Sequence, residues 1–247
     1  MKNDRFFVGF ATTPEELDEI YKLRYEDMIL EYCQDNINEN GRDIQSYDDY
    51  AQHIVVKDLS NGGAIIGYYR MITDKAVIGN GRKFVCEEEF NIDYLKSCGE
   101  KVCEFSRAVV KKNYRGGIVI LLLWQFILNY MKENGYRFLI GDASFFGVNR
   151  EEYIKEVSYL INNYKIPDDY KIKSLDGLPD MKLLTPDEYD EKEVMRSIPP
   201  LIKAYISLGG KVSSQTFTDM AFKSVDLFVL VDMQNCNDAY MNRILSL

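Results

Sequence analysis

Apolar positions recur along the chain with two periods. Leu17, Ile20, Tyr21 and Met28 follow helical spacing behind Thr13-Pro14-Glu15-Glu16, where a Thr cap precedes Pro at the first helical position and Glu stands three residues after the cap. A helix is therefore predicted from 14 to about 31. Arg24 sits seven residues after Leu17, so it points with the apolar stripe rather than to solvent. Phe6–Phe10 reads as a short strand. His53–Val56 and Ala64–Ile72 read as a hairpin through Asn61-Gly62-Gly63, with Ile66, Tyr68, Arg70 and Ile72 on one face. Between helix and hairpin, Cys33–Asp49 is polar and aperiodic and reads as a long loop.

Lys75–Gly99 is irregular, with a short acidic helix at Glu87–Phe90 whose run Glu87-Glu88-Glu89 reads as a solvated face. Val102–Val110 has the apolar content of a central strand yet carries Glu104, Ser106 and Arg107. Asn113-Tyr114-Arg115-Gly116-Gly117 is a turn, and Ile118–Asn134 is the main helix, stopping at Gly135. Then come a strand at Phe138–Phe145, a helix at Glu151–Tyr164 and a connector over 165–196. A helix at Pro200–Leu208 and strands at Lys211–Gln215 and Asp226–Asp232 follow. This order predicts an α+β fold, an α/β/α sandwich on one mostly antiparallel sheet. It forms a single domain over 1–247 with a variable segment at about 150–196.

At 46% hydrophobic residues the 247-residue chain can bury a large core, which excludes disorder of the whole. Its 39 acidic against 30 basic residues give a net charge of −9 and argue against a nucleic-acid partner. One histidine, His53, excludes metal sites that need two; no metal is expected, and His53 reads as a satisfied structural residue. Five cysteines without a CxxC pair read as reduced, pointing to the cytoplasm. The charged start Met1–Arg5 does not resemble a signal peptide. The most apolar run, Ile118–Leu128, is too short to span a bilayer, which needs about 20 residues.

Glu104 and Ser106, two apart on a strand, share one face. A Gly-Gly turn feeding a helix N-terminus offers free N–H groups to an anion such as a phosphate, although such a turn also serves simply to join strand to helix. Arg24, Arg70 and Arg107 each interrupt an apolar element and must be paired if buried, with Glu104 and Asp48 the natural partners. Arg24 and Arg70 suit either a carboxylate clamp or a purely structural network. Strict alternation sends Arg107 to the face opposite Glu104, an architectural position.

Glu104-Phe105-Ser106-Arg107, Tyr114-Arg115-Gly116-Gly117 and Ile120-Leu121-Leu122-Leu123-Trp124 resemble the ornithine N-acyltransferase ("hemolysin-like") family of N-acyl amino acid synthases. That family has a GNAT-like fold and is distantly related to acyl-homoserine lactone synthases. Tyr136–Gly141, Pro199–Tyr205 and Asp226-Leu227-Phe228 continue the likeness. Met28 and Asp142 stand where the family usually has an aromatic and a small or thiol residue. Gln45 stands where the lactone-synthase branch carries an acid. The resemblance implies transfer of a long-chain, sometimes 3-hydroxylated, fatty acyl group from an acyl-carrier-protein or CoA thioester to the α-amine of an ornithine- or glycine-type amino acid. The thioester would be a co-substrate, with no permanently bound cofactor. Glu104 would be the base and Ser106 its partner, with Arg24, Arg70, Arg107 and Asp48 around them. Val109, Val110, Arg115, Gly116, Gly117 and Ile118 would bind the donor. Lys101, Lys111, Lys112, Arg82 and Lys83 would help dock an acidic carrier protein. The lipid product brings peripheral contact with the inner membrane surface into view. A lactone-type signal synthase, a short-chain acetyltransferase and a non-catalytic acyl-carrier-binding module on the same fold are the alternatives.

Overall fold

Thr13 opens the first helix as its spacing predicts: its side chain accepts from the Glu16 N–H while the Glu16 carboxylate takes the Thr13 N–H. The computed structural model describes residues 5–33 and 37–246. The charged start 1–4 and positions 34–36 of the predicted loop lie outside the described residues. Helix α1 (Pro14–Arg24) runs on into a π-helical turn (Tyr25–Ile29) and a final turn (Leu30–Tyr32), so the predicted extent holds while its second half opens into a wider, underwound turn.

The chain divides into two compact units. The first comprises Met1–Arg82, Cys103–Gly135 and Met241–Leu247. Among its described residues β1 (Phe6–Phe10), β2 (Gln52–Asp58), β3 (Ala64–Thr73) and β4 (Val102–Val110, whose first residue falls in the second unit) pair antiparallel in that order. Helix α2 (Val119–Asn134) buries Val119, Leu123, Trp124 and Ile127. It lies so close to β3 that a Cβ on Gly67 would stand 2.5 Å from the Val119 side chain. Glycine at 67 is what lets the helix settle on the strand.

The second unit comprises Lys83–Val102 and Tyr136–Tyr240. There β5 (Phe138–Phe146) pairs antiparallel with β7 (Ser224–Asp232), which pairs antiparallel with β6 (Lys211–Asp219). Helices α3 (Ile154–Tyr164), α4 (Glu191–Ser197) and α5 (Pro200–Ser207) accompany them. Helix α4 and a last helix at Asp238–Leu245 go beyond the sequence reading, and β6 extends four residues past Gln215. The acidic run is not a solvated face. Glu87 takes the Phe84 N–H and pairs with Lys96 at 2.6 Å, Glu89 is half-buried, and only Glu88 is exposed. The strands are antiparallel in both units, in keeping with the α+β expectation. Among the described residues no helix is long and apolar enough to cross a membrane.

Candidate active site

The site is built in the first unit from β3, β4, helix α1 and the loop ahead of β2. Arg70 on β3 stands opposite Ser106 on β4, and Ile72 opposite Glu104. Directly opposed residues share a face, so Glu104, Ser106 and Arg70 project to one side as alternation requires. Alternation then breaks. Tyr68 pairs with Val109 and Arg70 with Ser106, so Tyr69 alone spans two residues of β4, Arg107 and Ala108. This is a β-bulge, and Arg107 sits in it with φ +56°. A non-glycine residue held there costs about 1–3 kcal/mol. The bulge re-aims the side chain: the Arg107 Nε donates to Asp43 Oδ2 at 3.2 Å, the oxygen that also receives Arg24. Arg107 therefore joins the cluster on the Arg70 side, correcting the expectation that it faces away.

Arg24 is fully buried. Its Nε donates to Asp43 at 2.8 Å, its Nη2 lies 2.7 Å from the same carboxylate, and its Nη1 donates to Asp48 at 2.8 Å. Tyr21 and Tyr68 cover its faces at 5.7 Å each. Asp48 is fixed in turn, accepting the Gln45 N–H on its second oxygen at 2.8 Å. Burial works to raise the Asp48 pKa, but Arg24 and Arg70 outweigh it and hold the carboxyl below its ordinary value. Arg70, equally buried, donates from Nε to Ser106 Oγ at 2.9 Å and from Nη1 to Gln45 Oε1 at 2.8 Å and Asp48 Oδ1 at 3.2 Å. Its Nη2 has no hydrogen-bond partner among the described residues. Three guanidiniums thus meet two carboxylates in one linked group, in which Arg70 Nη2 has neither a hydrogen bond nor an ion pair among the described residues, whereas Arg24 Nη2, also without a hydrogen bond, lies 2.7 Å from Asp43.

The ion-pair partners of Arg24 and Arg70 are Asp43 and Asp48, not Glu104. Glu104 is fully buried on β4 beside Cys103, whose thiol is pushed well up by burial. His53 is satisfied as expected. Its Nε2 lies 3.3 Å from the Asp48 carbonyl, which can only accept, so Nδ1, at 2.9 Å, takes the Tyr68 hydroxyl proton. Burial lowers its pKa, consistent with that neutral tautomer. Asp43 is the site residue that the sequence does not single out, and Gln45, marked there only as a departure from the lactone-synthase branch, joins it. They lie in the polar loop five and three residues before Asp48.

Val109 is buried and Val110 half-buried at the end of β4, and the turn to α2 follows. Gly116 adopts φ +74°, which a side chain would resist. The N–H groups of Gly116, Gly117 and Ile118 have no acceptor among the described residues, and α2 has no side-chain cap. The Arg115 guanidinium is instead committed to Glu31, at 2.8 Å, and to backbone carbonyls, so this side chain is not the open phosphate ligand that the resemblance implied. Lys111 and Lys112 flank the turn, with Lys112 exposed. On the other side of α2, a cleft of about 420 Å³ opens beside Val8, Leu122, Phe126 and Tyr130; Glu104 does not line it.

A family model described as an acetyltransferase (GNAT) domain matches residues 23–125. The fold is also similar to that of FeeM, an N-acyl amino acid synthase from uncultured soil microbes (TM-score 0.53, 12% identity, 93% of this chain and 92% of that one). A CoA-dependent acyl-homoserine lactone synthase, BjaI, compares similarly (TM-score 0.54, 11% identity, 98% and 88%). In sequence, the L-ornithine N(alpha)-acyltransferase of Rhodobacter capsulatus is 26% identical over 82% of this chain and 79% of its own length. That of Rhizobium meliloti is 30% identical over 94% of this chain and 81% of its own. The protein is therefore an acyltransferase that belongs to the L-ornithine N(alpha)-acyltransferase family.

Proposed function

We propose that the protein transfers a long-chain fatty acyl group from a thioester to the α-amine of L-ornithine. The observation that carries this reading is the buried Arg70 Nη2, which has neither a hydrogen bond nor an ion pair among the described residues. An amino acid's α-carboxylate answers that deficit. It accepts from Nη2, as the planar guanidinium fork suits a carboxylate. Arg24 Nη2 also lacks a hydrogen bond but lies 2.7 Å from the Asp43 carboxylate, so Arg24 serves as the frame for Asp43 and Asp48. The names of the relatives favour ornithine over glycine.

With its carboxylate on Arg70, the acceptor's amine reaches toward the β4 face that carries Glu104 and Ser106. The amine arrives as an ammonium and must lose a proton before it attacks; Glu104 takes it. Glu104 passes that proton to water; the nitrogen then bonds to the thioester carbonyl carbon and gives Glu104 its second proton, the C–S bond breaks, and the departing sulfur leaves as thiol with that second proton. Ser106 accepts from Arg70 Nε, so its own hydroxyl proton is directed outward, to the carbonyl oxygen as charge develops there. The donor's phosphate lies on the N–H groups of Gly116, Gly117 and Ile118, with its pantetheine arm along Val109 and Val110. That phosphate is common to CoA and acyl carrier protein. Lys111 and Lys112 beside the turn favour the acidic carrier protein. Each buried methylene of the acyl chain contributes about 0.8 kcal/mol, which selects long chains over acetyl. The product is an amphiphile, which places the enzyme in the cytoplasm beside the membrane surface.

Purified protein given C2 to C18 thioesters of carrier protein and CoA, with a panel of amino acids, tests the proposal by mass spectrometry. N-acylornithine from long-chain donors is the expected product. Faster turnover of acetyl donors, or of an acceptor lacking a carboxylate, would overturn it.

A further inference from the structure

The turn expected to hold the donor's phosphate is braced by side chains from the helical segment that follows Arg24. Arg115 uses its whole fork inside the protein. Nε donates to the Val110 carbonyl at 3.0 Å, Nη1 to Glu31 Oε1 at 3.0 Å, and Nη2 to the Asp27 carbonyl at 2.9 Å while lying 2.8 Å from Glu31 Oε2. The Asp27 carboxylate accepts the Lys112 N–H at 2.9 Å. On the other flank the Tyr114 hydroxyl donates to Asp58, itself paired with Arg5 at 2.8 Å. Carboxylates on both sides thus pin a turn whose own N–H groups at 116–118 stay unused.

We infer that Glu31 and Asp27 are positioning residues for donor binding: acting through Arg115 and Lys112, they hold the Gly116–Ile118 N–H groups in the arrangement that receives a phosphate. The inference rests on the proposed reading of that turn. Rigidity before binding matters because three backbone donors must converge on one anion, and a loose turn loses binding free energy to ordering it. Asp27 and Glu31 follow Arg24 on the same helical segment, so the frame of the acceptor cluster and the brace of the donor turn belong to one element.

The test compares two donors of equal chain length, an acyl-phosphopantetheine thioester and the acyl-pantetheine thioester lacking the phosphate. Wild type should show a lower KM for the phosphorylated donor. Glu31→Gln should raise that KM about 3- to 10-fold, leaving kcat, the ornithine KM and the KM of the phosphate-free donor within twofold. Arg115→Lys, which keeps the charge but cannot make the same four contacts, should repeat the pattern. Equal rises for both donors would mean a general structural role and overturn the inference alone. So would a fall in the phosphorylated donor's KM, which would mean that Arg115 freed from Glu31 binds phosphate directly. No preference for phosphate in wild type would overturn the reading of the turn as well.

Discussion

Gln45→Glu is the sharpest perturbation of the acceptor cluster, because it moves stability and substrate affinity in opposite directions. Gln45 Oε1 accepts from Arg70 Nη1 at 2.8 Å, and the residue is only half-buried, so an isosteric carboxylate can take its place without a large desolvation cost. The bond, already charge-assisted by Arg70, becomes a half-buried ion pair, a gain of about 1 kcal/mol. That should raise the melting temperature by about 2–4 °C in a protein of this size. The same change adds a carboxylate beside Arg70. The incoming α-carboxylate then competes with residue 45 for Arg70, losing about 1.5–3 kcal/mol of charged hydrogen bonding. The ornithine KM should rise roughly 10- to 150-fold. Thiol release at saturating acyl thioester with ornithine varied, alongside a thermal melt, reads both quantities. A variant that melts higher with its ornithine KM unchanged would refute the clamp and reduce Arg70 to a structural role.

Glu104→Gln should lower kcat by about 10²–10⁴ near neutral pH with the melting temperature kept, and raising the pH should recover part of the loss as free amine becomes available; unaltered turnover would remove Glu104 from the mechanism. Arg24→Met leaves Asp43 with only Arg107 and Asp48 with only Arg70 as ion-pair partners among the described residues and should cost about 3 kcal/mol in urea unfolding, against little loss if the cluster were solvated. The folded-state pKa of His53 is lowered by burial, so the unfolded chain takes the proton first. Stability present above the ordinary histidine value is lost as pH falls through it. The urea midpoint of wild type should therefore drop between roughly pH 7 and 5, and that drop should vanish in His53→Gln. Asp48, with its pKa held down by Arg24 and Arg70 against burial, adds a second loss as pH falls below the ordinary carboxylate range, absent in Asp48→Asn.

What was legible in the sequence is what local rules determine. The capping box at Thr13 placed the first helix, and the helical period turned Arg24 inward, where it is fully buried. Period two put Glu104 and Ser106 on a single face, and the register bears that out through Ile72 and Arg70. What was hidden depends on contacts distant in sequence. Asp43 and Gln45 sit in a loop with no period, because that loop is held by side-chain bonds to Arg24 and Arg70 rather than by an apolar stripe. Arg107 obeyed no alternation because one extra residue in β4 resets the pleat, and nothing in Ser106-Arg107-Ala108 announces a bulge. Arg115 was read from its place beside two glycines, whereas its role follows from Glu31, eighty-four residues earlier.

The cluster's composition itself argues for a binding site over a core device. Apolar side chains of similar volume usually serve stability as well as a buried ionic network or better. Here the fold instead carries a left-handed arginine at 107 and leaves two buried guanidinium nitrogens, Arg24 Nη2 and Arg70 Nη2, without a hydrogen-bond partner, each unfavourable by about 1–3 kcal/mol. A network built only to close the core would be expected to bring every such nitrogen to a carboxylate; Arg24 comes nearer to that, its Nη2 standing 2.7 Å from Asp43 and its Nε and Nη1 bonded to carboxylates. Arg24 and Arg70 are alike in charge and burial and share Asp48. They differ in one nitrogen, and that nitrogen belongs to the arginine bonded to Ser106 on the strand that carries Glu104. Geometry that brings both terminal nitrogens of one arginine to carboxylates and leaves its neighbour's Nη2 without one, beside the proposed base, is what an acceptor with a carboxylate and an amine a few bonds apart requires.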